Sequence, residues 1–149
     1  QIAGSGPSGS DLMKQAKECG LITPEVIFLG AIAHSKVSEF IKSLNMFVLP
    51  CKCDVDGIPA VLMEAMLSCV SGISSELSGI PELVINDKTG LLIQQNDILA
   101  LAEATSARIN EKNLRERLTK KAVSLVKKEY SLLENTKIRK YENTKIRRN

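Results

Sequence analysis

The chain has 149 residues, 44% of them hydrophobic, which suffices for one well-buried core and is short for two. Aromatic residues make up only 3% and Trp is absent, so the core must be aliphatic, and the composition argues against a binder that stacks bases or sugars on aromatic faces. A net charge of +3 gives no sign of nucleic-acid reading, no stretch reads as a signal peptide, and no apolar run approaches the roughly 20 residues of a membrane span.

Gln1-Ile2-Ala3 reads as the end of a strand and runs directly into Gly4-Ser5-Gly6-Pro7, so upstream sequence is expected. Leu12, Met13, Ala16 and Cys19 share one helical face, and residues 26–29 form a short apolar strand that ends at Gly30. Val37, Phe40, Ile41 and Leu44 mark a second amphipathic helix, and residues 46–49 a second buried strand stopped by Pro50. A third helix is predicted to start near Pro59, because Pro is favoured at the first helical position. A weak strand over residues 69–73 follows, then a turn at Lys88-Thr89-Gly90 and a short strand over residues 91–93. Helical patterning fills residues 97–128, with Leu114, Leu118, Ala122 and Leu125 on one face.

Strands alternating with helices predict an α/β fold, a parallel sheet covered on both faces. Ligands of such sheets bind outside the carboxyl ends of the strands. The loops that matter are therefore those after Ala3, Leu29, Leu49 and Ile73.

Two further features are read as structural. Cys19, Cys51, Cys53 and Cys69 lack metal-ligand spacing and His34 is the only histidine, so no metal site is expected and buried thiols in a reducing cytosol are. Residues 134–139 recur as residues 142–147, a duplication too short for a solenoid unit. This end of the chain is basic, with Lys137, Arg139, Lys140, Lys145, Arg147 and Arg148 against Glu142. It reads first as a solvated helix or tail, and second as a surface attracted to anionic lipid head groups.

The chemistry concentrates in Asp56-Gly57-Ile58-Pro59-Ala60-Val61-Leu62-Met63-Glu64-Ala65-Met66. Asp56 and Gly57 fall in a loop at a strand's carboxyl end, where backbone N–H groups can face a ligand. The helix starting near Pro59 directs its positive end to the same place, which suits a diphosphate. Glu64, about a turn and a half into that helix, can accept hydrogen bonds from vicinal hydroxyls such as those of a ribose. A second segment, Ser78-Gly79-Ile80-Pro81-Glu82-Leu83-Val84, places Gly before another Pro-started helix. Taken singly, Glu64 as a surface carboxylate, Asp56 as an N-cap and an ordinary turn at Gly79 are sufficient explanations. Their combination favours a site.

These two segments, with Thr89-Gly90-Leu91-Leu92, resemble family 4 (group 1) glycosyltransferases of the GT-B fold. Gly4-Ser5-Gly6-Pro7 is similar to that family's first Gly-rich loop, and residues 26–30 and 47–50 to its next two strand ends. Asp-Gly-Ile-Pro with Ser-Gly-Ile-Pro-Glu-Leu is most like the branch that builds bacterial surface polysaccharides, of the colanic-acid type. The resemblance implies a Rossmann-like, donor-binding C-terminal half over residues 1–130, a basic helix or tail over residues 131–149, and an absent N-terminal acceptor domain. It implies retaining transfer of a sugar from a UDP- or GDP-linked donor to a glycan or lipid-linked acceptor, without metal or cofactor. The place implied is the cytoplasm, with peripheral contact at the inner face of a membrane through the basic C-terminus.

By the same resemblance, Glu64 would hold the ribose, and Asp56, where much of the family has Glu, would contact the hydroxyls of the transferred sugar; these two form the candidate catalytic pair. Gly57, Ile58 and Pro59 would present backbone and helix dipole to the sugar and diphosphate. Ile27 or Phe28 would line the base pocket, and Gly4 and Gly6 would let the first loop approach the donor. Leaving-group charge would be met by preorganised dipoles and basic residues.

Three departures stand out. Cys69 and Ser71 replace the Gly that usually ends the helix and the Pro that opens the next strand. The Arg and Lys that grip the diphosphate in the family precede its first Gly-rich loop, and the 149 residues include no counterpart. Without an acceptor domain, the chain by itself is not expected to turn over. Two other readings compete. Gly4-Ser5-Gly6-Pro7-Ser8-Gly9 fits the G-x-G-x-x-G fingerprint of an NAD-binding domain, but the following strand ends in Gly30-Ala31-Ile32 with no acid for the ribose. A catalytically inactive nucleotide-sugar-binding remnant is the other.

Overall fold

The computed structural model describes residues 1–130 except 22, 53–56 and 78. It divides into two units, Gln1–Glu39 and the chain from Phe40 onward. The duplicated segment and the basic C-terminus fall outside the described residues.

In the first unit, β1 (Ile2–Ala3) pairs in parallel with β2 (Phe28–Gly30), Ile2 opposite Phe28 and Ala3 opposite Gly30. The crossover between them is α1 (Gly9–Glu18), as a parallel pair requires. β2 begins two residues later than the apolar run suggests. The apolar side chains of α1 are not covered: no residue of the helix is buried, with Leu12 44% and Met13 52% exposed. The two strands of this unit contribute only 2 and 3 residues, too narrow a surface to bury a three-turn helix. From here α2 (His34–Lys42) leads into the second unit, with Ile41 buried near its end.

The second unit runs β3 (Met46–Leu49), α3 (Ala60–Leu67), β4 (Ser71–Ser75), α4 (Ile80–Leu83), β5 (Gly90–Ile93), α5 (Ile98–Asn110) and α6 (Lys112–Glu129). Its three strands form a parallel sheet in the order β3-β4-β5. Alternation along the strands sorts the core into two layers. Phe47, Leu49 and Leu92 face a cluster made by Leu62 and Met66 of α3, Ile80 and Leu83 of α4, Val84, and Ala122 and Val126 of α6. Met46, Val48, Ile73, Leu91 and Ile93 face the opposite way and pack on Ala100, Leu101 and Ala104 of α5. Helices thus cover both faces, as the alternating pattern predicts. Each fully buried aliphatic side chain here contributes about 1.5–3 kcal/mol.

The middle strand differs from its prediction. β4 begins at Ser71 because Cys69 and Val70 are taken up in closing α3. The Val70 N–H bonds Ala65 O and the Cys69 N–H bonds Met66 O, both at 3.0 Å, with Cys69 in the left-handed conformation at φ 59°. α1 ends with the same pair of bonds, from Leu21 to Ala16 and from Gly20 to Lys17, but there glycine occupies the left-handed position at φ 72°. A side chain in that conformation costs about 1–2 kcal/mol, partly offset by the greater freedom of Gly in the unfolded chain. Cys69→Gly is therefore expected to stabilise the protein by about 1 kcal/mol, read as a rise of roughly 2–4 °C in melting temperature.

β4 is also unusual in composition, Ser-Gly-Ile-Ser-Ser with every residue buried. Ser74 tolerates this because its hydroxyl donates to Leu49 O on the neighbouring strand at 2.9 Å. The cysteines depart from expectation, since Cys19 and Cys69 are exposed and Cys51 is half-buried. Among the described residues, no helix is long and apolar enough to cross a membrane, and no group of three or more His, Cys, Asp or Glu could hold a metal ion.

Candidate donor site at the carboxyl ends of the second sheet

Because the three strands are parallel, the loops after Leu49, Ser75 and Ile93 emerge along one edge of the sheet. The first two carry the segments singled out in the sequence.

In the β3–α3 loop, Gly57 has φ 75° and is exposed, a backbone that glycine adopts freely. Pro59 is half-buried and extended, with φ −60° and ψ 119°, so it precedes the helix as N-cap and does not form its first residue. Its carbonyl accepts from Leu62 N–H at 3.0 Å. Proline offers no capping side chain, and the first turn of α3 holds no acidic residue. The positive end of this helix is thus left uncompensated by any described side chain.

Glu64 sits mid-helix between buried Leu62 on one side and buried Ala65 and Met66 on the other, and is itself half-buried. Among the described residues its carboxylate has no hydrogen-bond or ion-pair partner. Asp56 lies outside the described residues.

The β4–α4 loop meets this one directly. A Cβ on Gly79 would lie 2.9 Å from Ile58 Cγ1 and 3.4 Å from the Gly57 carbonyl carbon, so only glycine fits without displacement. Two motifs 22 positions apart are brought into contact, and the α3 and α4 entries are side by side. Pro81 stands in the first turn of α4, as its spacing suggests. The far end of α4 is fixed by Thr89, a buried residue whose hydroxyl donates to Leu83 O and accepts from Ile85 N–H, both at 2.8 Å. Asn86 Oδ1 accepts from Leu92 N–H at 3.2 Å. The Asn-Asp-Lys-Thr-Gly turn is thus a brace behind the loop.

Residues of the third loop were not legible as part of the site. Gln94 Nε2 donates to Glu76 Oε2 at 2.5 Å, and Gln95 Nε2 donates to Lys52 O. Asp97 caps α5 by accepting from Ala100 N–H at 2.8 Å. Two exposed glutamines carry no sequence signal, whereas Asp97 before an apolar helix is a recognisable N-cap. On α6, burial and the carboxylates of Glu82 and Glu129 raise the Tyr130 phenol above its ordinary pKa. An open hollow lined by Glu111, Lys112, Asn113, Leu114 and Arg117 lies at the opposite end of α5 from these loops and contains none of the motif residues.

The remaining candidates belong to the first unit. Gly4 is exposed at φ 138°, a backbone closed to other residues, and its N–H bonds Gly30 O at 2.8 Å. Gly6 is exposed, and Ile27 and Phe28 are half-buried at the start of β2.

Comparison with known proteins places this architecture. The GDP-mannose-dependent alpha-(1-6)-phosphatidylinositol monomannoside mannosyltransferase of Mycobacterium tuberculosis is 31% identical over 110 residues, which cover 70% of this chain and 28% of that protein. The putative colanic acid biosynthesis glycosyltransferase WcaL of Escherichia coli K12 is 41% identical over 76 residues, 48% of this chain and 19% of that one. Anabaena Alr3699/HepE, solved with UDP and glucose, superposes with a TM-score of 0.85 at 19% identity, over 95% of this chain and 39% of that chain. That likeness shows the fold, a Rossmann-like α/β arrangement of the GT-B type. The chain spans about 28% of the length of the mycobacterial relative. The family model for glycosyl transferases group 1 matches residues 1–124, and the chain belongs to that family.

Proposed function

We propose that this chain supplies the donor side of a retaining, family 4 sugar transfer, binding a UDP- or GDP-linked sugar at the β3–α3 and β4–α4 loops of its second unit. The observation that carries this reading is the start of α3, uncapped by any described side chain, with Gly57 at φ 75° before it and within it the half-buried Glu64, which has no partner among the described residues. A diphosphate would sit at the helix start, where the dipole favours negative charge by about 0.3–1 kcal/mol at an exposed site and more when partly buried. Glu64 would accept the ribose hydroxyls, and Asp56 would contact the transferred sugar. Gly4, Gly6, Ile27 and Phe28 are proposed as donor-binding residues of the first unit.

In the transfer step, bond cleavage leaves negative charge on the departing diphosphate. The backbone N–H groups and dipole at α3 would stabilise that charge without a metal, because they are held in place before the reaction begins. The names of the relatives agree with a nucleotide-sugar donor: one uses GDP-mannose, and one structure holds UDP and glucose. The resemblance to WcaL supports a surface-polysaccharide setting. The acceptor, a glycan or lipid-linked sugar, is proposed to be held by a further domain, so that the 149 residues bind donor without multiple turnover.

The strained Cys69 in the position of a helix-ending glycine favours a second reading, a remnant that binds nucleotide sugar and is inactive even with the acceptor side restored. Turnover by the chain joined to an acceptor domain separates the two.

The binding claim is tested by thermal shift with UDP, GDP, ADP, their hexose conjugates and NAD. A ligand at 100 times its dissociation constant adds about 2.7 kcal/mol, or roughly 5–10 °C for a domain of this size. A shift with one nucleoside diphosphate and not with NAD is expected. No shift with any of them from a folded sample would sink the reading.

A further inference from the structure

We infer that Gly79 is a positioning residue for the donor site, acting through the side chain of Ile58 on the Gly57–Ile58 peptide at the entry to α3. The inference rests on the reading of that entry as the donor site, and it adds a residue that reaches the site from a different strand. The two glycines of this contact are needed for different reasons. Gly57 has φ 75° and no described neighbour within 4 Å of its Cβ position, so its backbone conformation demands glycine. Gly79 has φ −77° and ψ 0°, which any residue adopts, so only space demands glycine there. A Cβ on Gly79 would stand 2.9 Å from Ile58 Cγ1, with the Gly57 carbonyl carbon at 3.4 Å and its oxygen at 3.5 Å. The missing side chain makes room for Ile58.

Both sides of the contact are held. Ile58 is half-buried, branched at Cβ and packed against the core cluster of Leu62, Met66, Ile80 and Leu83, so it has little freedom to turn away. On the other side, Leu77 packs against the same cluster and its carbonyl accepts from Ile80 N–H at 3.0 Å. The Gly79 carbonyl accepts from Glu82 N–H at 3.1 Å. Gly79 is thereby fixed at the start of α4, and Ile58 is seated against it. The next residue, Pro59, is the N-cap of α3, and its carbonyl accepts from Leu62 N–H. Ile58 therefore joins the exposed Gly57 to the helix start, and a shift of its side chain moves the peptide that would face the diphosphate. Gly79 touches no reacting atom in this scheme; it sets where Gly57 and Ile58 present their backbone.

The test is a cycle of Gly79→Ala and Ile58→Ala, singly and together, since Ile58→Ala removes the atom that the new Cβ would meet. The N–H orientations at Gly57 and Ile58 are read without ligand from residual dipolar couplings. Dissociation constants for UDP and GDP are measured beside melting temperatures. With Ile58 in place, Gly79→Ala is expected to turn both N–H vectors and to weaken the bound nucleotide by about tenfold, the lower part of what overpacking costs. In the Ile58→Ala background the same substitution should weaken binding by less than about twofold, because the two residues are coupled. Equal losses in the two backgrounds would mean that Gly79 acts on the nucleotide itself or on the fold at large, and would overturn the inference. Unmoved N–H vectors at Gly57 and Ile58 in Gly79→Ala would also overturn it, a result that does not depend on Ile58→Ala folding. Turned vectors in a protein whose wild type binds neither nucleotide would uphold the contact and overturn the donor reading.

Discussion

Replacing Glu64 by Ala is expected to weaken nucleoside-diphosphate binding by roughly 10- to 100-fold while leaving the unliganded protein as stable as before. The two halves of this expectation have separate causes. Hydrogen bonds to a charged group contribute about 1.5–3 kcal/mol, and a carboxylate that receives two ribose hydroxyls loses that when it is removed. The folded state loses little, because no described residue bonds to Glu64 and Ala is the better helix former in mid-helix. Glu64→Gln, which keeps one acceptor, should fall between wild type and Ala. Calorimetric titration beside thermal unfolding measures both quantities. A Glu64→Ala protein that binds as wild type does would remove Glu64 from the site. One that unfolds many degrees lower would make it a structural residue.

The largest effect on stability is expected from Gly90→Ala. Gly90 opens β5 opposite Gly72, and a Cβ there would lie 2.7 Å from Gly72 O and 2.8 Å from Val84 Cγ1. Neither neighbour can move cheaply. Gly72 O belongs to the fully buried central strand, and Val84 is 0% exposed and branched at Cβ. Overpacking of this kind costs typically 1–3 kcal/mol, and contact with the backbone of a central strand sets the expectation at about 3 kcal/mol. That corresponds to a fall of roughly 6–12 °C in melting temperature. A change within one or two degrees would mean that β4 and β5 separate more readily than their pairing implies.

How much of this was legible in the sequence varied with the kind of signal. β3 and β5 are continuous apolar runs stopped by a Pro and preceded by a turn, and both were placed to within a residue. α5 and α6 followed from helical periodicity, although the break at Glu111 between them carries no Gly or Pro. β4 was displaced because its signal is weak: Ser-Gly-Ile-Ser-Ser has little apolar content, and its burial depends on Ser74 finding Leu49 O. Cys69 could be recognised as standing in a glycine's place, but only the backbone shows that it adopts the glycine's conformation.

For the candidate site, local patterns are legible in the sequence and through-space relations are not. Gly57, Pro59 and Glu64 are singled out by one contiguous segment, and the helix expected near Pro59 starts at Ala60, with Pro59 as an extended N-cap at ψ 119°. The contact between Gly79 and Ile58 is invisible in one dimension, since it depends on β3 and β4 being neighbours. The glutamine ties of the third loop are more hidden still, because exposed amides have no periodicity and no characteristic spacing.

The central claim is that a nucleoside diphosphate binds at the start of α3. The most direct measurement is an amide chemical-shift titration of the 149-residue chain with UDP and with GDP. The largest perturbations are expected at Gly57, Ile58, Ala60 and Val61, saturating with one of the two nucleotides and lost in Glu64→Ala. Perturbations confined to the hollow at Glu111 to Arg117, or none at millimolar nucleotide from a folded protein, would contradict it.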